Sequence, residues 1–186
     1  TMARDLARVF FSATIVAVVL IAALLAGTAG LVLLMAVVSL RGVEPFGFES
    51  ILWAALVVIA ADGRQSAFTL HDLRDLRQVE LRTSTVYADG RPLFRGPLAM
   101  DVLEAAKATE GQIAVMTARD GYRTNIPISD FRTFDVIFAL SMDGRELSPR
   151  GKGPIWVMYP VDQHARLSDP LFQRRMVWQL AQIEIQ

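Results

Sequence analysis

Ile113-Ala114-Val115-Met116-Thr117-Ala118, then Asp120-Gly121, then Tyr122-Arg123-Thr124-Asn125-Ile126-Pro127 carry the architectural signal. An Asp-Gly pair tolerates the positive φ values that a tight hairpin turn requires, so the two arms are expected to pair antiparallel. The same dipeptide recurs at Asp62-Gly63, Asp89-Gly90 and Asp143-Gly144. Antiparallel strand therefore dominates this part of the chain. The flanking sequences do not match one another, which excludes a repeat array.

Outward from that hairpin, Val79, Leu81, Thr83, Thr85 and Tyr87 alternate with polar residues. The alternation predicts a strand ending at Asp89-Gly90, with Arg91 to Phe94 as its partner. Leu98, Val102, Leu103 and Ala106 fall on one side of a helix between Leu98 and Ala108. Val136 to Met142 reads as the next apolar strand, reversed at Asp143-Gly144, and Ile155 to Tyr159 as another, closed by Pro160. Met176 to Ile185 supplies a last strand with Val177, Gln179, Ala181, Ile183 and Ile185 on one face, preceded by a short helix at Leu171 to Arg175. Leu56-Val57-Val58-Ile59 is the first strand, and Thr69 with Asp72 caps a brief helix through Leu76.

Composition narrows the function. Lys plus Arg and Asp plus Glu both total 19, so no long-range field draws nucleic acid. With no cysteine, disulfides, thiolate zinc sites, iron–sulfur clusters and cysteine nucleophiles are excluded; no haem is expected either. At the other end, Val9 to Leu40 contains neither charge nor proline and exceeds the roughly 20 residues that cross a hydrocarbon core. Arg4 and Arg8 place the preceding flank in the cytoplasm and send the rest outward. Two versions remain open. A signal peptide would use Ala26-Gly27-Thr28-Ala29 for cleavage, whereas an uncleaved anchor would continue through Leu31-Val32-Leu33-Leu34-Met35. The organisation read from the sequence is thus residues 1–40 as signal peptide or inner-membrane anchor, 41–55 as linker, and 56–186 as one periplasmic or secreted domain.

Three stretches resemble the molybdopterin-binding domain of the sulfite oxidase family. They are Asp120-Gly121-Tyr122 with Ile126-Pro127-Ile128-Ser129-Asp130, Ile137-Phe138-Ala139-Leu140 with Asp143-Gly144 and Leu147, and Gly153-Pro154-Ile155-Trp156-Val157-Met158-Tyr159-Pro160, followed by a closing strand from Trp178 to Ile185. The resemblance implies an α+β, β-rich mixed domain behind an amino-terminal transmembrane or signal helix, with molybdopterin as the cofactor. In the family's enzymes a domain cysteine ligates molybdenum; the corresponding strand here is Thr83-Ser84-Thr85-Val86. Neutral hydroxyls are poor substitutes for a soft thiolate, so no cysteine-ligated molybdenum is expected.

Candidate ligand-binding residues follow from chemistry. Arg150-Gly151-Lys152-Gly153-Pro154 places two cations beside two glycines, an arrangement suited to an anionic group such as a pterin phosphate; it is equally the composition of an exposed turn. Trp156, Tyr159, Asp162 and His164 lie near one strand end, where rings can stack on a flat ligand or fill the core. Tyr122 joins them as a further candidate wall. Asp162, His164 and Asp169 lack the spacing of a helical metal motif, so no metal site is assigned. Ser84 or Ser129 with His164 and a carboxylate lacks the Gly-x-Ser-x-Gly elbow of a hydrolase. Arg174-Arg175, Arg74, Arg77 and Arg82 read as solvated faces.

Three functions are compatible with these features. The first is an envelope domain binding a pterin-like or other small anionic ligand through Lys152, Trp156, Tyr159, Tyr122, Arg150 and His164. The second is an oxidoreductase holding its cofactor by the pterin alone. The third is a structural or sensory partner of a membrane signalling protein.

Overall fold

The hairpin at the centre of the sequence forms. In the computed structural model, which describes residues 54–186, β5 (Ile113–Ala118) pairs antiparallel with β6 (Arg123–Pro127), and Gly121 takes φ +87° at the reversal. β5 also pairs with β11 (Leu180–Ile185), which lies parallel to β1 (Leu56–Ile59), and β1 pairs with β2 (Gln65–Phe68). The five-stranded order is β2-β1-β11-β5-β6, so the last strand is inserted beside the first. The expected membrane or signal segment and residues 41–53 of the linker lie outside the described residues. Among the described residues no helix is long and apolar enough to cross a membrane.

A second sheet runs β3-β4-β8-β9, from β3 (Gln78–Arg82), β4 (Leu93–Pro97), β8 (Ser141–Met142) and β9 (Arg145–Glu146). A two-stranded ribbon of β7 (Ile137–Ala139) and β10 (Trp156–Met158) adjoins it through Leu140 N, which donates to Arg95 O. Close approach here requires a glycine at 96. A Cβ on that residue would stand 2.0 Å from Phe138 O. One continuous apolar cluster joins the sheets, including Leu56, Met116 and Ile183 from the first, and Phe94, Phe138 and Trp156 from the others.

Four short α-helices, α1 (Leu70–Asp75), α2 (Ala99–Ala105), α3 (Ile128–Thr133) and α4 (Pro170–Arg175), and two 3-10 turns, Val161–Gln163 and Ala165–Ser168, complete the described residues. Thr69 and Asp72 form the expected reciprocal cap on α1. Helix α2 ends short of Ala108 because Lys107 adopts φ +53°. Asp143 and Gly144 both take positive φ, as a two-residue hairpin turn demands.

Three strand expectations need correction. The Val79–Tyr87 alternation overstates β3, which stops at Arg82; its partner begins at Leu93, and residues 83–92 form a loop instead of a tight Asp89-Gly90 turn. Pro92 has no N–H to donate to a ladder, and Ser84 is drawn away by a distant carboxylate. The stretch 136–142 splits into β7 and β8, which pair with different partners. The closing strand starts at Leu180, because Gln179 takes φ +51° and a register shift follows between Leu180 and Gln182. Val177 and Gln179 therefore lie before the strand, in a segment that folds back on the 148–153 loop through Gln179 N to Lys152 O.

Candidate functional site

Loop 83–92 departs from the sheet where the resemblance puts the sulfur ligand, and its side chains are already engaged. The Asp162 carboxylate accepts from Ser84 N at 2.8 Å, Ser84 Oγ at 2.5 Å and Arg91 Nε at 2.7 Å. These donors hold the Asp162 carboxyl below the usual carboxylate range, with the Ser84 hydroxyl the largest cause. Asp162 N in turn donates to Thr83 Oγ1, and the Thr85 hydroxyl faces Met176 Sδ at 3.6 Å. Asp162 thus pairs with Ser84 and Arg91. No imidazole intervenes, so a Ser84–His164 catalytic pair does not form.

The tip of the loop is held from a second direction. Thr85 bridges Ala88 around a turn at Val86-Tyr87, and Lys152 Nζ donates to Tyr87 O at 2.8 Å. The same ammonium sits 5.2 Å from the Trp156 ring centroid and 5.8 Å from that of Trp178, where ring faces attract a cation. Tyr87 meets Trp178 edge to face at 5.0 Å, and its hydroxyl donates to Gln173 O.

These contacts make one wall of a cavity of about 300 Å³, lined by Tyr87, Asp120, Tyr122 and Trp178, with Gln173, Arg174, Met176 and Val177 closing it. The β5–β6 turn adds Tyr122 to the lining: Tyr122 N donates to Asp120 Oδ1, and Tyr122 Oη donates to Arg174 O. Both tyrosine hydroxyls are thus fixed on carbonyls of α4. Gln173 Oε1 is buried and has no hydrogen-bond partner. The volume is at the low end for small-molecule sites, and the mixture of rings with few polar groups is their usual lining. Two other hollows, of about 390 and 370 Å³, have no aromatic residue in their walls.

Of the residues singled out from sequence, Tyr122 lines this cavity, while Lys152 and Trp156 support its Tyr87–Trp178 wall. Trp156 is fully buried and donates through Nε1 to Met176 O. Tyr159 and His164 belong to a different cluster, with Phe134 6.5 Å from Tyr159 and 5.2 Å from His164. Arg150 is exposed on its turn. The amides of Gly151 and Gly153 both donate to Ser148 O, so the glycine loop turns these donors inward instead of offering them to an anion.

Tyr159 is also fully buried, and its hydroxyl donates to Asp130 Oδ2 at 2.9 Å, which Arg175 NH1 meets at 2.6 Å. Burial first, and the Asp130 charge second, raise the Tyr159 phenol far above its ordinary value and keep it a neutral donor. Arg175 was expected on a solvated face. Its side chain is only 12% exposed, because α4 turns it inward onto Asp130 and the Phe172 ring. Sequence reading also missed Tyr87, Asp120, Gln173 and Trp178 as cavity residues. Tyr87 and Trp178 entered the sequence reading only as parts of strands, and no local signal marked the four as neighbours.

The oxidoreductase molybdopterin-binding domain family matches residues 55–166. The chain belongs to this family. No curated protein matches it. Membership in the oxidoreductase molybdopterin-binding domain family suggests a molybdopterin cofactor. The residues here do not fit the metal half of such a group: the sequence has no cysteine, and the hydroxyls of Thr83, Ser84 and Thr85 are occupied by Ser84 O, Asp162 and Met176. No catalytic step through a protein-ligated metal follows from them.

Proposed function

We propose that this member of the molybdopterin-binding family is an exported ligand-binding domain that takes a pterin-like or other small anionic ligand in the Tyr87–Tyr122–Trp178 cavity, without a molybdenum–thiolate bond. One observation carries the reading: the loop at the expected sulfur position supplies Tyr87 as a cavity wall, while its hydroxyls are consumed by internal hydrogen bonds. Tyr122, Tyr87 and Trp178 all line the cavity and offer aromatic surface to a flat ring. Asp120 can accept from ring N–H groups, and exposed Arg174 can meet an acidic substituent.

Fluorescence titration of the full chain with 6-hydroxymethylpterin and its phosphate tests this. Saturable quenching is expected, with affinity falling about 5- to 100-fold on Trp178→Ala or Tyr122→Ala, the range of one lost stacking contact. Absence of saturable binding, or binding indifferent to both substitutions, would reject the site. Metal analysis of protein purified from its own envelope addresses the oxidoreductase alternative. Equimolar molybdenum would replace the non-metal reading.

A further inference from the structure

Three large apolar side chains are conspicuously exposed in the described domain: Val86 at 72%, Tyr122 at 44% and Leu171 at 42%. Scattered singly, such residues need no explanation, but a shared location does. Hydrogen bonds tie the loop that carries Val86 and the turn that carries Tyr122 to the helix that carries Leu171. Tyr87, next to Val86, bonds to Gln173 O, and Tyr122 bonds to Arg174 O. Leu171 lies on the same short helix, three residues before Arg174 and therefore on the same side of it. Tyr122 lines the aromatic cavity, Val86 is the chain neighbour of its lining residue Tyr87, and Leu171 stands two residues before its lining residue Gln173.

The shape of the patch identifies the kind of partner. Val86 stands at the tip of a turn closed by the Thr85–Ala88 bridge, held at Tyr87 by Lys152 and at Ser84 by Asp162. A rigid, protruding apolar tip beside a tyrosine and an exposed arginine suits insertion among lipid headgroups, where each part finds its own depth. A flat protein partner would leave such a point poorly packed. The sequence supplies the surface: residues 9–40 carry no charge, and residues 41–55 span at most about 50 Å even when extended. A bilayer holding that segment is always within reach.

We propose that the Val86–Tyr122–Leu171 patch docks on the lipid bilayer in which this chain is anchored, so that the cavity mouth opens at the headgroup layer. The inference rests on the membrane reading of residues 9–40. Because the chain lacks cysteine, single labels report without background. Full-length Val86→Cys and Leu171→Cys, each carrying an environment-sensitive fluorophore, are reconstituted into phosphatidylcholine–phosphatidylglycerol vesicles, with Asp62→Cys as the reference.

The expected result is co-flotation with vesicles, a blue shift at 86 and 171 but not at 62, and quenching of the first two by brominated acyl chains. Circular dichroism identical to the parent establishes that each labelled chain is folded. Co-flotation with water-like emission at 86 and 171 overturns the docking while leaving the anchor intact. A blue shift seen in native membrane vesicles but absent from pure lipid assigns the patch to a protein and overturns it as well. Failure to float removes the anchor and the docking together.

Discussion

Replacing Arg175 by Met removes one partner of an ion pair whose side chains are 12% and 9% exposed. The Asp130 carboxylate keeps only the Tyr159 hydroxyl, 2.9 Å away, as a hydrogen-bond donor. Removing one member of a buried pair costs about 3–5 kcal/mol, since the survivor stays desolvated without its counter-charge. A domain of this size has about 5–15 kcal/mol of stability. With a urea slope of about 2 kcal/mol/M, the midpoint should fall by about 2 M. The assay is urea unfolding of the full chain, followed by tryptophan fluorescence and circular dichroism. Substituting both partners, Asp130→Leu with Arg175→Met, should recover much of the loss because no charge is left buried. A single-variant loss under about 1 kcal/mol, or a double variant no better than Arg175→Met, would refute the desolvation argument.

Thr69→Ala removes the side chain that accepts from Asp72 N and should cost about 1 kcal/mol in the same unfolding assay. Gly96→Ala forces a Cβ against the Phe138 carbonyl, so soluble folded protein should fall sharply on expression, whereas Gly151→Ala, whose Cβ would meet nothing nearer than Ser148 O at 3.6 Å, should cost far less. The Asp162 clamp predicts a pH dependence. Its folded pKa is depressed, so the clamp's stabilisation is present above the unfolded carboxylate value near about 3.9 and is lost as pH falls through the lower folded value. The protection factor of the Ser84 amide, its exchange rate relative to the intrinsic rate at the same pH, should therefore fall in acid, and Asp162→Asn should lower it already at neutral pH; a protection factor unchanged by acid would count against the clamp.

The fold was legible in the sequence wherever local rules act alone. Asp120-Gly121 and Asp143-Gly144 gave correct reversals because glycine's freedom at positive φ is a property of the residue itself. Thr69 and Asp72 gave a correct cap for the same reason. Periodicity failed where a partner distant in sequence takes control. The 79–87 alternation continues past Arg82, but Asp162, 78 residues after Ser84, pulls the chain from the ladder. Gln179 sits in a run that alternates like a strand, yet its amide side chain bonds Pro149 O and Gly151 O and its backbone turns left-handed. The site was harder still. Lys152 and Tyr122 were visible as chemistry, but their relation runs through Tyr87, Trp178 and the α4 carbonyls, which no local pattern brings together. Arg175 looks like its exposed neighbour Arg174 until α4 is placed against α3.

Helix α4 then joins the stability of the core to the shape of the cavity. On one side Arg175 reaches the buried Asp130 and Tyr159; on the other, the carbonyls of Gln173 and Arg174 fix the hydroxyls of Tyr87 and Tyr122. A six-residue helix has little stability of its own, so its position depends on these tertiary contacts. The buried pair contributes more than a local interaction, because it orients the element that aligns both aromatic walls. It follows that Arg175→Met should weaken ligand binding under conditions where the chain remains folded, although Arg175 is absent from the cavity lining. The alignment of the walls, and not the identity of any single wall residue, is then what a lost core contact disturbs.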